Sequence, residues 1–549
     1  MKITLAQLNY HVGNFDRNSR LIIDTIKQAE SEGSDLVVFS ELSLTGYPPH
    51  DLLEYREFID KCNHYLHIIA GHCKSIGAIV GAPAINKSES GKKLFNAAWL
   101  LADGKIKDVC YKSLLPTYDI FDEYRYFEPS TDFNIIEFKG KKLAVTICED
   151  LWDEQDFDHD FASSRMYSIS PMEELAKLNP HLIINISASP FAYTRTETKK
   201  EIFTAKAKSY RLPLIMVNQV GANTDLIFEG NSMVVGPNGK IINLFPDFRE
   251  HTESFELDNI IAGDNNSFNI AGKISMIHDA LVLGVKDYFD KMEFNSAIVG
   301  LSGGIDSALC LCIASEALGP SRVKALLMPS MYSSRHSVDD AVELCNNLNV
   351  SYDIINIEDA FRSIESSLSD IMRDMPADTT EENIQARLRC ILLMAVSNKF
   401  GNILLNTSNK SETAVGYSTL YGDMAGSFSV LGDVYKTDIY RLAGHINKKN
   451  EIIPLNIINK APSAELSPGQ KDSDSLPDYD VLDTILYQYI EQQKPVRDIE
   501  GENVSPELVN RIIGMINKNE YKRFQAPPIL RISNKAFGHG RRMPLVASW

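Results

Sequence analysis

A chain of 549 residues is longer than one hydrophobic core serves, so two domains of roughly 250 residues or more are expected. Its formal net charge of −18 argues against a protein that coats nucleic acid, and no apolar run is long enough to span a bilayer. The 8 cysteines contain no CxxC pair, which points to neither a disulfide framework nor a zinc site. With no signal-peptide core after Met1, a cytoplasmic protein is expected.

From residue 1 to about 262, short β-branched runs alternate with polar helical stretches. Lys2 to Leu8, Leu36 to Phe39, Ala78 to Ala82, Leu143 to Cys148, Leu182 to Ile186 and Leu214 to Asn218 read as strands; Asn18 to Glu32 and Glu197 to Tyr210 read as helices. The first half is therefore an α/β layered domain. Three chemically active residues stand at the ends of strands or beside turns: Glu41 before Thr45-Gly-Tyr-Pro-Pro, Lys112 before Ser-Leu-Leu-Pro116, and Cys148 before Glu149-Asp-Leu-Trp152. A free thiol with a pKa of about 8.5 is mostly protonated at neutral pH, so it needs help. A lysine favours the thiolate and stabilises an oxyanion, and a glutamate carries the proton to a leaving amine. The trio is chemically complete for amide hydrolysis.

These residues, in the contexts FSELSLTGYPP, YKSLLP and ICEDLW, resemble the nitrilase superfamily, whose catalytic set is Glu, Lys and Cys in that order. The resemblance implies an α-β-β-α layered fold over residues 1–262. Its glutaminase members further imply Tyr118, Ser189 and Arg195 around a glutamine substrate, and an arginine suits a free α-carboxylate through paired hydrogen bonds.

The stretch Phe255 to Asn269 has few apolar positions, and the domain boundary is placed there, at 262/263. A helix from Ile274 to Phe289 leads into the short strand Ala297-Ile-Val299, then the turn Gly300, Leu301, Ser302, Gly303, Gly304, Ile305, Asp306, Ser307, and a buried helix to Leu318. Free N–H groups at a helix start, small residues and two hydroxyls make a phosphate site. It is not a Walker loop, because the lysine is missing and Asp306 stands where bare phosphate would be repelled; a carboxylate there makes sense if it holds Mg²⁺. Further strands at Val323 to Met328, Tyr352 to Ile357 and Ile403 to Asn406 complete a doubly wound parallel sheet over 263–549.

The glycine turn resembles the pyrophosphate loop of N-type ATP pyrophosphatases, whose adenine nucleotide α hydrolase-like sheet this second domain is expected to share. With Glu382 to Arg389, Thr407 to Glu412, Ala464-Glu-Leu, Gln470 to Asp480 and Lys522 to Pro528, the domain resembles the synthetase part of the glutamine-dependent NAD synthetase family. That resemblance implies that Asn383, Glu412 and Lys522 meet deamido-NAD⁺, that Thr407 and Lys436 join the loop in meeting ATP, and that Asp306 and Glu412 hold Mg²⁺. It implies a ligase that releases ammonia from glutamine in the first domain and amidates a nucleotide adenylate in the second. Alternatives at this point are another amidotransferase of the same pyrophosphatase class, or an ammonia-only synthetase with an inert first domain. No nucleic-acid or membrane partner is expected. A homo-oligomer, dimer or larger, is expected if ammonia passes between sites across subunits.

Overall fold

The computed structural model describes residues 1–153, 166–262, 268 and 271–547. The chain divides into two compact units, Met1–Ile270 and Ala271–Trp549. The boundary expected at 262/263 abuts residues 263–267, which lie outside the described ones.

In the first unit, two six-stranded sheets lie face to face. One runs in the order His251–Glu256, Lys2–Gln7, Leu36–Val38, Gly77–Ile85, Leu94–Ala102, Lys105–Tyr111; the other runs Ile241–Leu244, Met233–Val235, Leu214–Asn218, Leu182–Ser187, Lys141–Ile147, Ile136–Phe138. The layer between them is apolar from both sides: Ile3, Leu5, Leu36 and Val38 meet Val145, Ile147, Ile184 and Val217. Because strand side chains alternate faces, the opposite faces are apolar too and each takes a helical layer. Phe15–Ser31 and Arg56–His72 cover the first sheet, burying Ile22, Ile26, Leu66 and Ile69; Pro171–Ala176 and Arg195–Tyr210 cover the second, burying Met172, Leu175 and Phe203. The α-β-β-α layering is as expected from the sequence.

Two expectations need correction. The predicted strand Leu143 to Cys148 ends at Ile147, because Cys148 adopts a positive φ of 45° and leaves the pleat. The predicted boundary stretch begins inside ordered structure: His251–Glu256 pairs antiparallel with Lys2–Gln7, and Leu257–Ala262 is a helix. Of the stretch, Phe255 and Glu256 end an edge strand and the helix Leu257–Ala262 buries Leu257 and Ile260, so low apolar content there signals an exposed face.

The second unit is built on a fully parallel five-stranded sheet in the order Ser351–Ile354, Val323–Leu327, Ser296–Gly300, Asn402–Asn406, Phe428–Ser429. Strand order reverses between Ser296–Gly300 and Asn402–Asn406, and ligands of such sheets bind outside the carboxyl ends of the strands at that reversal. Both ends open there onto residues singled out in the sequence, 301–307 and 407–412.

Candidate active sites

In the first unit, the strand Lys141–Ile147 delivers Cys148 to a one-turn 3₁₀ helix, Cys148–Leu151. Holding a non-glycine residue at φ 45° costs about 1–2 kcal/mol. The turn is fixed by Asp150, whose Oδ2 accepts the Ile147 N–H at 2.9 Å while its Oδ1 accepts those of Ser113 and Leu114 at 3.0 and 2.9 Å. One buried carboxylate thus ties the cysteine turn to the loop that carries Lys112. Burial raises the Asp150 carboxyl to about 6, against the pull of those N–H donors.

Glu41 and Lys112 are fully buried and paired, with Lys112 Nζ donating to Glu41 Oε1 at 2.7 Å. Asn96 Nδ2 donates to the same oxygen at 2.7 Å, and the Ala188 N–H reaches Glu41 Oε2 at 2.9 Å. Gly81 lets this happen: a Cβ there would lie 2.4 Å from the Leu42 nitrogen and the Ser40 oxygen, so only glycine admits the Glu41 segment against the sheet. A second carboxylate, Glu123, takes Lys112 Nζ at 2.9 and 2.7 Å and the Tyr47 hydroxyl at 3.0 Å. Burial works to lower the Lys112 pKa, but Glu123 and Glu41 prevail and hold it well above its ordinary value. Burial, together with the Glu41 charge, keeps the Cys148 thiol well above its usual range, with Lys112 pulling the other way. Burial thus favours the thiol over the thiolate at Cys148.

Of the predicted glutamine residues, Tyr118 donates its hydroxyl to Glu149 at 2.9 and 3.1 Å, and Ser189 exchanges hydrogen bonds with Asn218 through its backbone, at 2.9 and 3.3 Å. Arg195 is half-buried at the first position of the helix Arg195–Tyr210, and its charge acts on both Tyr118 and Glu149. Sequence reasoning passed over Glu123, Asn96 and Tyr167, the last of which also donates to Glu149, at 2.9 Å. None has a local signal: Glu123 opens the short 3₁₀ helix Glu123–Arg125, Tyr167 is a loop residue, and Asn96 is a polar residue in a buried strand.

In the second unit, Gly303 at φ 80° lies so close to the Ser337 carbonyl that a Cβ would stand 2.3 Å from its oxygen. The loop is braced internally, the Ser302 N–H donating to Ser307 Oγ at 3.2 Å and the Gly304 N–H to Ser302 Oγ at 3.3 Å. It opens on a cleft of about 290 Å³, lined by Gly300, Leu301, Ser302, Gly304, Ile305, Asp306 and Ser307 and, from the neighbouring strand end, Thr407 and Glu412. Lys436 also lines it and joins two carboxylates, at 2.6 Å to Asp306 Oδ2 and 3.0 Å to Glu412 Oε1; Asn409 Nδ2 donates to Asp306 Oδ1 at 2.9 Å. Burial raises the Glu412 carboxyl to about 7, with Lys436 opposing and Asp306 adding. Asn383 and Lys522 act one step away. Asn383 Oδ1 accepts the Thr419 hydroxyl at 2.7 Å, and Lys522 Nζ donates to the carbonyls of Gly416 and Ser418 at 2.8 and 2.7 Å, so both grip the segment that borders the cleft at Tyr417 and Ser418. Sequence reasoning assigned no site role to Arg389 or Asp472, which also line the cleft.

A layered unit with a buried glutamate, lysine and cysteine, followed by a parallel-sheet unit with a glycine loop at its reversal point, defines a carbon-nitrogen hydrolase joined to a nucleotide-binding synthase. Residues 2–155 match the carbon-nitrogen hydrolase family and residues 277–526 the NAD synthase family. The chain is 42% identical to a glutamine-dependent NAD(+) synthetase of Synechocystis sp. over 100% of its own length and 99% of the relative's, and 40% identical to one of Thermotoga maritima over 99% and 98%. A solved glutamine-dependent NAD+ synthetase from Acinetobacter baumannii, in complex with adenosine diphosphate, is 38% identical, with a TM-score of 0.78 over 99% of this chain and 98% of that one. The chain belongs to the glutamine-dependent NAD(+) synthetase family.

Proposed function

We propose that the chain converts deamido-NAD⁺ to NAD⁺, the last step of NAD biosynthesis, with glutamine as nitrogen donor and ATP split to AMP and pyrophosphate. The observation that carries this reading is that one chain, matched end to end by relatives of that name, holds both a buried Glu41-Lys112-Cys148 cluster and a phosphate loop faced by Asp306, Glu412 and Lys436.

In the first unit, Cys148 Sγ attacks the side-chain amide carbon of glutamine while Glu41 takes the thiol proton. The ammonium of Lys112, held in place by Glu41 and Glu123, stabilises the oxyanion of the tetrahedral adduct. Glu41 then gives the proton to the departing nitrogen, ammonia leaves, and a γ-glutamyl thioester remains. Water deprotonated by Glu41 cleaves that thioester and releases glutamate.

In the second unit, the nicotinate carboxylate of deamido-NAD⁺ attacks the α-phosphorus of ATP, pyrophosphate leaves, and ammonia displaces AMP from the acyl adenylate. The loop N–H groups and the Ser302 and Ser307 hydroxyls bind phosphate oxygens, and Asn383 and Lys522 hold the bordering segment in shape. Asp306 and Glu412 suit Mg²⁺: they are hard oxygen donors on separate strand ends, brought within reach of one ammonium, and this ion needs only one or two carboxylates when phosphates supply the rest. Bound there, Mg²⁺ would neutralise charge developing on the phosphates. Lys436, paired with both carboxylates, would then be free to turn to the phosphates.

Near neutral pH free ammonia is mostly ammonium, which is not a nucleophile, so ammonia passes between sites by a sheltered route in a cytoplasmic homo-oligomer. Incubation with ATP, Mg²⁺, deamido-NAD⁺ and either glutamine or ammonium should yield NAD⁺ and AMP in both cases. Failure with both donors would refute the reading.

A further inference from the structure

Glu412 faces the second cleft from the helix Lys410–Val415, which is too short to hold its place by its own backbone bonds. What fixes it lies behind. Asn409, Lys410 and Ser411 are fully buried, and each carries a side-chain tie. Asn409 Oδ1 caps the helix by accepting the Glu412 N–H at 2.9 Å, while its Nδ2 donates to Asp306. The Ser411 hydroxyl donates to Asp483 and accepts the Lys436 N–H at 2.9 Å. Lys410 does not line the cleft. Its ammonium is surrounded by Asp433 Oδ1, Glu491 Oε1 and Ser533 Oγ, each at 2.8 Å, and by the Lys535 carbonyl at 3.0 Å. Asp433 in turn accepts the N–H groups of Ile532 and Ser533 at 2.8 and 2.7 Å, so the C-terminal segment is fastened to the same point.

Stability alone does not call for a buried ion cluster, since packed apolar residues of similar volume often serve as well. What charges add is a defined geometry, and the helix that supplies Glu491 shows which one. It starts as the α-helix Tyr479–Leu486 and closes with the π turn Tyr487–Glu491. Tyr479 and Asp483 lie one turn apart on one face; at 3.6 residues per turn the matching position near the helix end is about 490. The wider π turn adds a residue and moves that position to Glu491, leaving Ile490 to the apolar core. Tyr479, Asp483 and Glu491 therefore line up against Glu412, Ser411 and Lys410. The Tyr479 hydroxyl stands 3.5 Å from Glu412 Oε1, and Asp483 Oδ2 also accepts the Thr437 N–H at 2.9 Å, next to Lys436.

We propose that Lys410 is a positioning residue of the synthetase: its contacts with Asp433, Glu491 and Ser533 set the place of Asn409 and Glu412 at the cleft. The inference rests on the reading of Glu412 given above. Lys410 acts through its neighbours along the chain, and the chemistry belongs to them.

Lys410→Met removes the ammonium and keeps an unbranched stem. Hydrogen exchange of the full chain, without Mg²⁺ or nucleotide, is followed peptide by peptide by mass spectrometry. Amides of residues 410–415 should exchange at least about 10-fold faster than in wild type, while those of the strand Ser296–Gly300 stay within about 2-fold. With ammonium as donor, kcat for NAD⁺ should fall about 30- to 100-fold, KM for ATP should stay within about 3-fold, and the Mg²⁺ concentration for half-maximal rate should rise about 10-fold. Added to Glu412→Gln, Lys410→Met should lower kcat by less than about a further 3-fold, because the group it positions is already gone. Should Lys410→Met fail to fold, Glu491→Gln, which keeps an oxygen for the ammonium and removes the charge, should show the same pattern at about 3- to 10-fold. Faster exchange throughout the second unit with fully multiplicative losses would assign Lys410 to general stability and overturn the proposal, as would unchanged exchange at 410–415 or a wild-type kcat. A wild-type protein that forms no NAD⁺ from ammonium would overturn the synthetase reading itself, and this inference with it.

Discussion

Gly81 lies in mid-strand with no unusual backbone angle, yet Gly81→Ala should damage glutamine hydrolysis. Its new methyl carbon would stand 2.4 Å from backbone atoms of Ser40 and Leu42, against the 3.0–3.4 Å at which such contacts begin to be tolerated. The segment that flanks Glu41 must therefore move by about 0.6–1 Å, because backbone on both sides leaves no flexible side chain to yield. Glu41 is held by three bonds of 2.7, 2.7 and 2.9 Å, and a shift of that size stretches at least one of them beyond hydrogen-bonding range. Overpacking of this kind costs about 1–3 kcal/mol, and a misplacement of about 1 Å at a catalytic group costs on the order of 100-fold in rate. Two tryptophans of the first unit, Trp99 and Trp152, give a fluorescence signal for its unfolding in urea. With a slope of about 3 kcal/mol per molar, the midpoint should drop by about 0.3–1 M. Glutaminase kcat/KM should fall by about 100-fold while ammonium-driven synthesis, which needs only the second unit, stays within about 2-fold. Wild-type glutaminase activity in Gly81→Ala would refute the claim that Glu41 is placed by this close approach.

Cys148→Ala should abolish glutamine-driven synthesis and spare ammonium-driven synthesis, measured as NAD⁺ formed; equal loss with both donors in a folded protein would remove Cys148 from the mechanism. Asp306→Asn or Glu412→Gln should lower synthesis from either donor by at least about 100-fold and raise the Mg²⁺ concentration for half-maximal rate, while glutamine hydrolysis survives. Glu123→Gln tests the buried cluster through pH. Burial raises the Glu123 carboxyl from 4.5 to about 7 in the fold, so the folded state binds its proton more tightly than the unfolded chain. That stabilisation is complete below pH 4.5 and is lost as pH rises through about 7. Urea midpoints at pH 5 and pH 7.5 should therefore lie closer together in Glu123→Gln than in wild type, and an unchanged difference would show that Glu123 is ionised throughout.

The sequence was informative where a residue's neighbours along the chain set its place in the fold. Glu41, Lys112 and Cys148 each sit just beyond a strand, and the glycine turn opens onto the helix Ile305–Leu318. What brings the parts together was not readable. Lys112 meets Glu123 eleven positions on because a loop folds back, and the Asp150 carboxylate reaches across to Ser113 and Leu114. Lys436 meets Asp306 across 130 positions, which no local pattern anticipates. One omission was avoidable. The outer hairpin Leu94–Ala102 and Lys105–Tyr111 is absent from the predicted elements, although its Asp103-Gly104 turn, with φ of 52° and 73°, is a strong hairpin signal. That hairpin supplies Asn96 and leads into Lys112, so missing it concealed how the glutamate and lysine come to face each other.

The most direct measurement follows the nitrogen itself. Glutamine labelled with ¹⁵N only in its side-chain amide is supplied with ATP, Mg²⁺ and deamido-NAD⁺, without added ammonium, and NAD⁺, glutamate and AMP are quantified by mass spectrometry. NAD⁺ heavier by one mass unit is expected, with one AMP formed per NAD⁺ and at least one glutamate. Unlabelled NAD⁺, or labelled glutamine left intact while AMP accumulates, would contradict the claim that the first unit feeds the second.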